Sequence, residues 1–182
     1  MINAINNIDE INKFIRNELI SQSGLDSKRV LNGVTTHGQD LIDRLNKYCY
    51  KSYEPTDSFI VFVLSPSSSE NDISQTLEDD SIEIVSTYRI KCYTYGYSSM
   101  DLVQTILARF RTIEVRQNLF NNGIYLIDIG EIADGKEFIN ETMFIRTDFT
   151  IKISVRKIIN KVNTDKDITS FDLKVEEECK LN

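Results

Sequence analysis

The sequence predicts an α+β fold: a mostly antiparallel, twisted β-sheet with helices packed on one face. Three observations carry this. The stretch MFIRTDFTIKISVRK, Met143 to Lys157, alternates almost without a fault. Met143, Ile145, Phe149, Ile151, Ile153 and Val155 share one parity, interrupted by Thr147, while Arg146, Asp148, Thr150, Lys152, Ser154 and Arg156 hold the other. Successive side chains of a strand point to opposite faces, so this is a long strand with one dry face and one charged face. Second, Ser58 to Leu64 (SFIVFVL) is continuously apolar, rich in β-branched and aromatic residues, and punctuated by Pro55 and Pro66. It reads as a central strand buried on both faces. Third, the elements run helix, strand, strand, helix, strand, strand, without regular βαβ alternation, which implies helices on one side of an antiparallel sheet. The wet faces of the long strands then point away from the helices.

Taken in order, Ile5, Ile8, Ile11, Ile15 and Leu19 recur at three- and four-residue steps with Phe14 beside them, an amphipathic helix. Asn6 or Asn7 caps it, Asp9 and Glu10 favour its dipole, and Gly24 stops it. LDSKRVLNGVTTHGQD is a loop with a short extended piece. Leu41, Ile42, Leu45 and Tyr48 suggest a short second helix or a turn-rich connection. After the central strand, SPSSSENDISQTLEDDS is Ser-rich and acidic, so it is expected to be a mobile surface loop.

Ile82 to Tyr97 is the second long strand, with Ile82, Ile84, Tyr88, Ile90 and Cys92 on one face and Arg89, Lys91 and Tyr93 on the other. Gly96 ends it. Ser98 or Ser99 caps the next helix, whose apolar stripe is Met100, Val103, Leu107 and Phe110 with Ile106 and Ile113. That helix is expected to run to about Phe120 with Arg109, Arg111, Arg116 and Gln117 outward, stopping at Asn121-Asn122-Gly123. Ile124 to Ile129 is a third strand, and Glu131 to Glu141 a polar loop before the long strand. Residues 160–182 form an extension to the domain of residues 1–159. Within it, Ile168 to Val175 alternates, and EEECK follows. It reads equally as an arm that orders on a neighbouring subunit and as a frayed tail.

Composition narrows the function classes. At 41% hydrophobic and 27% charged, the chain has enough apolar residues for a real core. No apolar run approaches a membrane span, and MINAINNIDEINKF lacks the basic-then-apolar order of a secretory signal, so a cytoplasmic chain is expected. The net charge of -7 argues against a phosphate-neutralising nucleic-acid binder. Lys152, Arg156, Lys157 and Lys161 are the nearest thing to a basic patch and read as a solvated sheet edge. Cys49, Cys92 and Cys179 are widely spaced with no C-x-x-C, which suits reduced thiols; Cys92 reads as a small core residue.

The search for catalytic chemistry returns little. The lone His37, with Asp40 nearby, could be a general base, but a loop histidine of this kind is ordinarily surface. No P-loop, dinucleotide fingerprint, nucleophile elbow or zincin motif occurs. Asp128, Asp148 and Glu83 lie in strand-like segments and would be the carboxylates of a divalent-metal nuclease. No basic groove accompanies them, and no cofactor or metal is expected. Tyr88, Tyr93, Tyr95 and Tyr97 could stack on bases, but suit core or subunit-interface packing better. Arg109 and Arg116, with Arg111, form a basic helix side that either serves solubility or meets an acidic neighbour such as Glu78, Asp79 and Asp80 of an adjacent copy.

These elements together resemble the tail terminator proteins of long-tailed bacteriophages, in particular the neck terminator group. The resemblance rests on the N-terminal helix followed by GLDSKRVLNG, on TYRIKCYTYGYSSMDLVQTILARFRT with its Tyr-Gly before a capped helix, on IYLIDIGEI, and on IRTDFTIKISV with its Arg-x-Asp-Phe start. It covers about residues 5 to 159. It implies a non-enzymatic virion protein of the neck: a homo-oligomeric ring, usually a hexamer, that caps the tail tube or sheath and docks the head connector. DNA passes through the lumen without specific binding, and no membrane is involved. A head-tail adaptor or tail completion protein of the same junction is the alternative. Loop residues Glu70, Asp72, Glu78, Asp79 and Asp80 would then reach a neighbour or the lumen. The polar strand face, Arg146, Asp148, Lys152 and Arg156, would meet another subunit or ring.

Overall fold

In the computed structural model, residues 7–33, 42–43, 58–67, 73–77, 81–139 and 142–159 are described. Helix α1 spans Ile8–Ser23. The Asn7 side chain accepts from the Glu10 backbone N–H at 2.8 Å, and Asp9 and Glu10 sit in the first turn. Gly24 ends the helix at φ 71°, a left-handed conformation that costs a glycine nothing, and its N–H bonds the Ile20 carbonyl. A single 3₁₀ turn, Ser27–Arg29, leads into strand β1, Val30–Asn32. Arg16 pins the helix to that connection by donating from Nε to the Val30 carbonyl at 3.0 Å. Of the expected second helix only Ile42 and Asp43 are described, and both are helical; Leu41, Leu45 and Tyr48 lie outside the described residues, as do Ile5, His37, Asp40, Cys49 and residues 160–182.

Six further strands follow: β2 (Phe59–Pro66), β3 (Ile73–Thr76), β4 (Ile82–Tyr95), β5 (Ile124–Ile129), β6 (Ala133–Ile139) and β7 (Thr142–Ile159). They form one open sheet in the order β1-β2-β4-β7-β5, with β3 added to β4 and β6 to β7. Among the described residues the β1–β2 pair is parallel and every other ladder antiparallel, so the mixed α+β class with a mostly antiparallel sheet is confirmed. Its spine is the β4–β7 ladder, in register from Ile82 opposite Ile159 to Tyr95 opposite Arg146.

Three expectations are corrected. The acidic stretch after Pro66 is not all loop, because Ile73–Thr76 pairs with β4. Four residues with a single apolar side chain carry no periodicity; their backbone pairing comes from β4. Glu131 to Glu141 is likewise not a loop, since Ala133–Ile139 forms a hairpin with β7. Its residues are mostly exposed, so burial imposed no alternation on ADGKEFI. The expected single helix to Phe120 is two helices, α2 (Ser99–Phe110) and α3 (Ile113–Asn121), broken at Arg111-Thr112. The Thr112 hydroxyl accepts from the Val115 N–H and caps α3. The break rotates Ile113 out of the apolar stripe, leaving it 84% exposed, and Leu102 is buried where Met100 is only half-buried.

The main core lies between the helices and one sheet face. Ile11, Ile15 and Leu19 from α1, Val103, Ile106 and Phe110 from α2 and Leu119 from α3 close over Phe62, Ile90, Cys92, Phe149, Ile151 and Ile153. Burial pushes the Cys92 thiol well above its ordinary range. Thr147 is explained by a relay: the Ser99 hydroxyl lies 2.8 Å from its Oγ1, which donates to Asp134 Oδ1 at 2.8 Å. The polar atom thus joins the N-terminus of α2 to β6 at a buried position. Buried Glu18 accepts from Gln22 on its own helix and Asn118 on α3, tying α1 to α3. On the opposite sheet face a smaller cluster gathers Leu31, Phe59, Val61, Tyr95 and Phe144. Strand β2 is therefore buried on both sides, as its unbroken apolar run predicts. No helix among the described residues is long and apolar enough to cross a membrane.

This packing sets the cost of two substitutions. Phe149→Ala is expected to lose about 3–5 kcal/mol of unfolding free energy by opening a core cavity. Ile113→Ala should stay within about 0.5 kcal/mol, because the side chain is in water. Urea denaturation of both variants measures this, and an equal cost would contradict the helix break.

Candidate interaction face

The sheet face turned away from the helices carries the even residues of β7. Register decides what each one meets. In the β6–β7 hairpin Glu137 pairs with Phe144 and Gly135 with Arg146; across the other ladder Tyr95 opposes Arg146 and Tyr93 opposes Asp148. Arg146 therefore stands among two acids and two tyrosines. Its Nη1 donates to Glu137 Oε2 at 2.6 Å, Nη2 donates to Asp148 Oδ2 at 2.9 Å, and Nε lies 2.8 Å from Asp148 Oδ1. The Tyr95 hydroxyl donates to the same Glu137 oxygen at 2.8 Å. The guanidinium carbon sits 5.1 Å from the Tyr93 ring centroid, and Lys91 Nζ is 5.2 Å from that ring.

The planar fork of arginine fits this two-carboxylate arrangement and a lysine would not. Burial opposes charge on Arg146, but Glu137 and Asp148 outweigh it and hold the guanidinium charged beyond its already high range. Burial, reinforced by the Glu137 carboxylate, raises the Tyr95 phenol above its ordinary range. The side chains of Arg146 and Asp148 retain 26% and 20% exposure, so this end of the face is half-covered.

At the other end Arg156 donates to Glu83, which also accepts from Gln75 on β3. Those two bonds, the Gln75 one first, hold the Glu83 carboxyl below its ordinary range against the effect of burial. The contact stitches β3, β4 and β7 together. Lys152 lies between the two ends, in register with Asp128 of β5 and Arg89 of β4. Arg109 is not on this face: its Nη1 donates to the Gln22 carbonyl at 3.0 Å, joining α2 to α1. Arg116 and Arg111 line a groove of about 300 Å³ whose other wall is Leu126, Ile127, Asp128 and Ile129 of β5. Glu70, Asp72, Glu78, Asp79 and Asp80 lie outside the described residues.

The three nuclease-type carboxylates do not converge. Asp128 pairs with Lys152, four residues along β7 from Asp148, and Glu83 with Ile158, six further on. At strand rise those steps are about 13 Å and about 20 Å. Asp148 and Glu83 are already engaged by Arg146 and Arg156. Among the described residues no group of three or more His, Cys, Asp or Glu is placed to hold a metal ion. The tyrosines do not form one stacking platform either: Tyr88 belongs to the helix-side core, Tyr93 and Tyr95 to the opposite face, and Tyr97 is exposed.

Sequence reasoning named Arg146 and Asp148 but missed Glu137, read Tyr95 as a packing residue without its bond to Glu137, and named Arg156 but missed Gln75. Glu137 was hidden because its strand is polar on both sides. Reading Glu131 to Glu141 as a polar loop left Glu137 without a strand face.

Residues 41–178 match the family profile described as phage neck terminator protein. No match was found among curated proteins. The match begins later than the sequence resemblance does and continues through residue 178, into the C-terminal extension.

Two outcomes follow from the polar contacts. Glu83 has a depressed pKa, so its stabilisation is full above the ordinary carboxylate range and is lost as pH falls through its lower folded value. Glu83→Gln should therefore flatten the acid limb of stability between neutral pH and pH ~3, measured by urea midpoints across that range. Arg146→Ala should cost about 1–3 kcal/mol by stranding two half-covered carboxylates, well above exposed Arg116→Ala, as thermal unfolding would register.

Proposed function

The chain belongs to the phage neck terminator family, a structural component of the virion neck, and on that premise we propose that it forms a ring that caps the tail. The ring is a hexamer that ends polymerisation of the tail tube and joins the tail to the head connector while the genome passes through it. The family match is the observation that carries this reading. The structure supports it with an open sheet that carries a charged face on the side away from helices α1 to α3.

The physical logic is that of an open stack. A tail tube ends in a surface that keeps accepting subunits, and only a body matching that surface on one side stops it. Heterologous contacts around an axis close into such a ring without self-propagating. The net charge of -7 suits a lumen that repels phosphate and so lets DNA slide. Within this reading Glu70, Asp72 and Glu78 to Asp80 reach a neighbour or the lumen. Of the charged sheet face, Lys152 is the residue whose role is most separable from the fold, since Arg146 and Arg156 each bind carboxylates of their own chain.

Particles assembled without this chain should carry tails of unregulated length, detached from heads, in negative-stain micrographs. Uniform tails joined to heads in its absence would sink the proposal. Lys152→Glu should reduce the yield of joined particles while leaving the urea midpoint of the purified chain within about 0.5 kcal/mol of the parent. Cryo-electron microscopy of the virion separates a terminator from an adaptor by its level in the neck.

A further inference from the structure

Strand β5 ends the sheet: among the described residues it pairs with β7 and no strand lies beyond it. Such an edge offers a row of unpaired backbone groups. The ladder to β7 shifts register between Leu126 and Asp128, leaving Ile127 50% exposed. Alongside runs the groove walled by Arg111 and Arg116, which lie at the Ile129 end of the strand because α3 doubles back before β5 begins. The free edge is thus apolar apart from the exposed Asp128, and two arginines stand at one end of it.

The extension holds a segment with the complementary polarity. Thr169, Phe171, Leu173 and Val175 alternate with Ile168, Ser170, Asp172 and Lys174, and Glu176, Glu177 and Glu178 follow directly. The family match also runs through this segment and ends at residue 178. We propose that residues 168–178 dock on the β5 edge of their own chain as a strand parallel to β5, with Glu176 to Glu178 against Arg111 and Arg116.

Direction and reach select this arrangement. Running parallel to β5, the segment starts at the Ile124 end and delivers its glutamates to the Ile129 end, where the arginines are. Running antiparallel, it would carry them to the Asn121-Asn122 turn instead. Strand β7 finishes at Ile159, four residues beyond Val155, the partner of Ile124. The outer edge of β5 is then about 13 Å back along the sheet and about 10 Å across it. Residues 160–167 span up to about 27 Å, so the chain reaches its own edge without strain. Tethering makes the local concentration of this segment far higher than that of a neighbour's copy. The odd-numbered side chains fall on the helix side, beside Leu126 and Ile129, which already pack on the main core.

Disulfide trapping in the purified full-length chain tests this without the tail, so its outcome is independent of the neck reading. In a Cys49→Ser background, Glu131→Cys, just past the Ile129 end, should form an intramolecular disulfide with native Cys179, while Asn121→Cys at the other end should not. Cys92 is buried and stays a spectator. Arg111→Glu with Arg116→Glu should lower the yield roughly fivefold, the worth of two exposed ion pairs. Adding Glu176→Lys, Glu177→Lys and Glu178→Lys should restore it, which separates lost docking from misfolding. Equal or better trapping at Asn121→Cys would overturn the parallel direction. A cross-link that appears only as a dimer would assign the edge to a second copy's segment. Yield insensitive to the charge changes would overturn the arginine contact.

Discussion

The long β4–β7 ladder is the constraint on which the rest of this structure depends. Its two strands carry apolar residues on the helix face and polar ones on the other, in register over nearly their whole shared length. A slip of one residue would turn every side chain to the wrong face, so burial of Ile90, Cys92, Phe149, Ile151 and Ile153 specifies one pairing strongly. Once that pairing is set, the other elements attach to an existing edge. β2 and β3 extend from β4, β5 and β6 from β7, and helices α1 to α3 close the face that must be dry.

The same register builds the polar architecture of the opposite face. Arg146 has no acid next to it in sequence; it acquires Glu137 from the hairpin and Asp148 from two residues along its own strand. Arg156 and Glu83 meet across a ladder joining segments more than seventy residues apart. These contacts use charge to hold strands together, which lowers the charge the face has free for partners. A face of this kind favours a rigid assembly part over a solvated, adaptable surface. That suits membership in a family of phage neck proteins. Phe138 and Met143, paired on the β6–β7 hairpin, hold the parity of the dry face yet are both exposed, beyond the reach of the helices.

Much of the fold was legible because its signals are local. Alternation in Met143 to Lys157, the apolar run in β2, the stripe and caps of α1 and the bounds of β5 each reside within one segment. Each follows from burial acting on a period of two or 3.6. What escaped detection had no such signal. β3 and β6 are short or wet on both sides, so nothing in their side chains distinguishes them from loop. The break at Thr112 was hidden because Ile113 falls in phase with the stripe of α2 yet points to solvent.

The sequence by itself determined the fold class, the two faces of each long strand, the acidic balance and the resemblance to neck terminators, since composition, period and short motifs are properties of one stretch of chain. Only the tertiary structure decided which charges are partners: that Glu137 and Tyr95 engage Arg146, that Glu83 takes Arg156 and Gln75, and that Arg109 serves a helix contact while Arg111 and Arg116 border a free edge. The reason is physical. Pairing across a sheet is set by register between segments distant in sequence, and that register is chosen by burial of the apolar face, not by the polar groups it brings together.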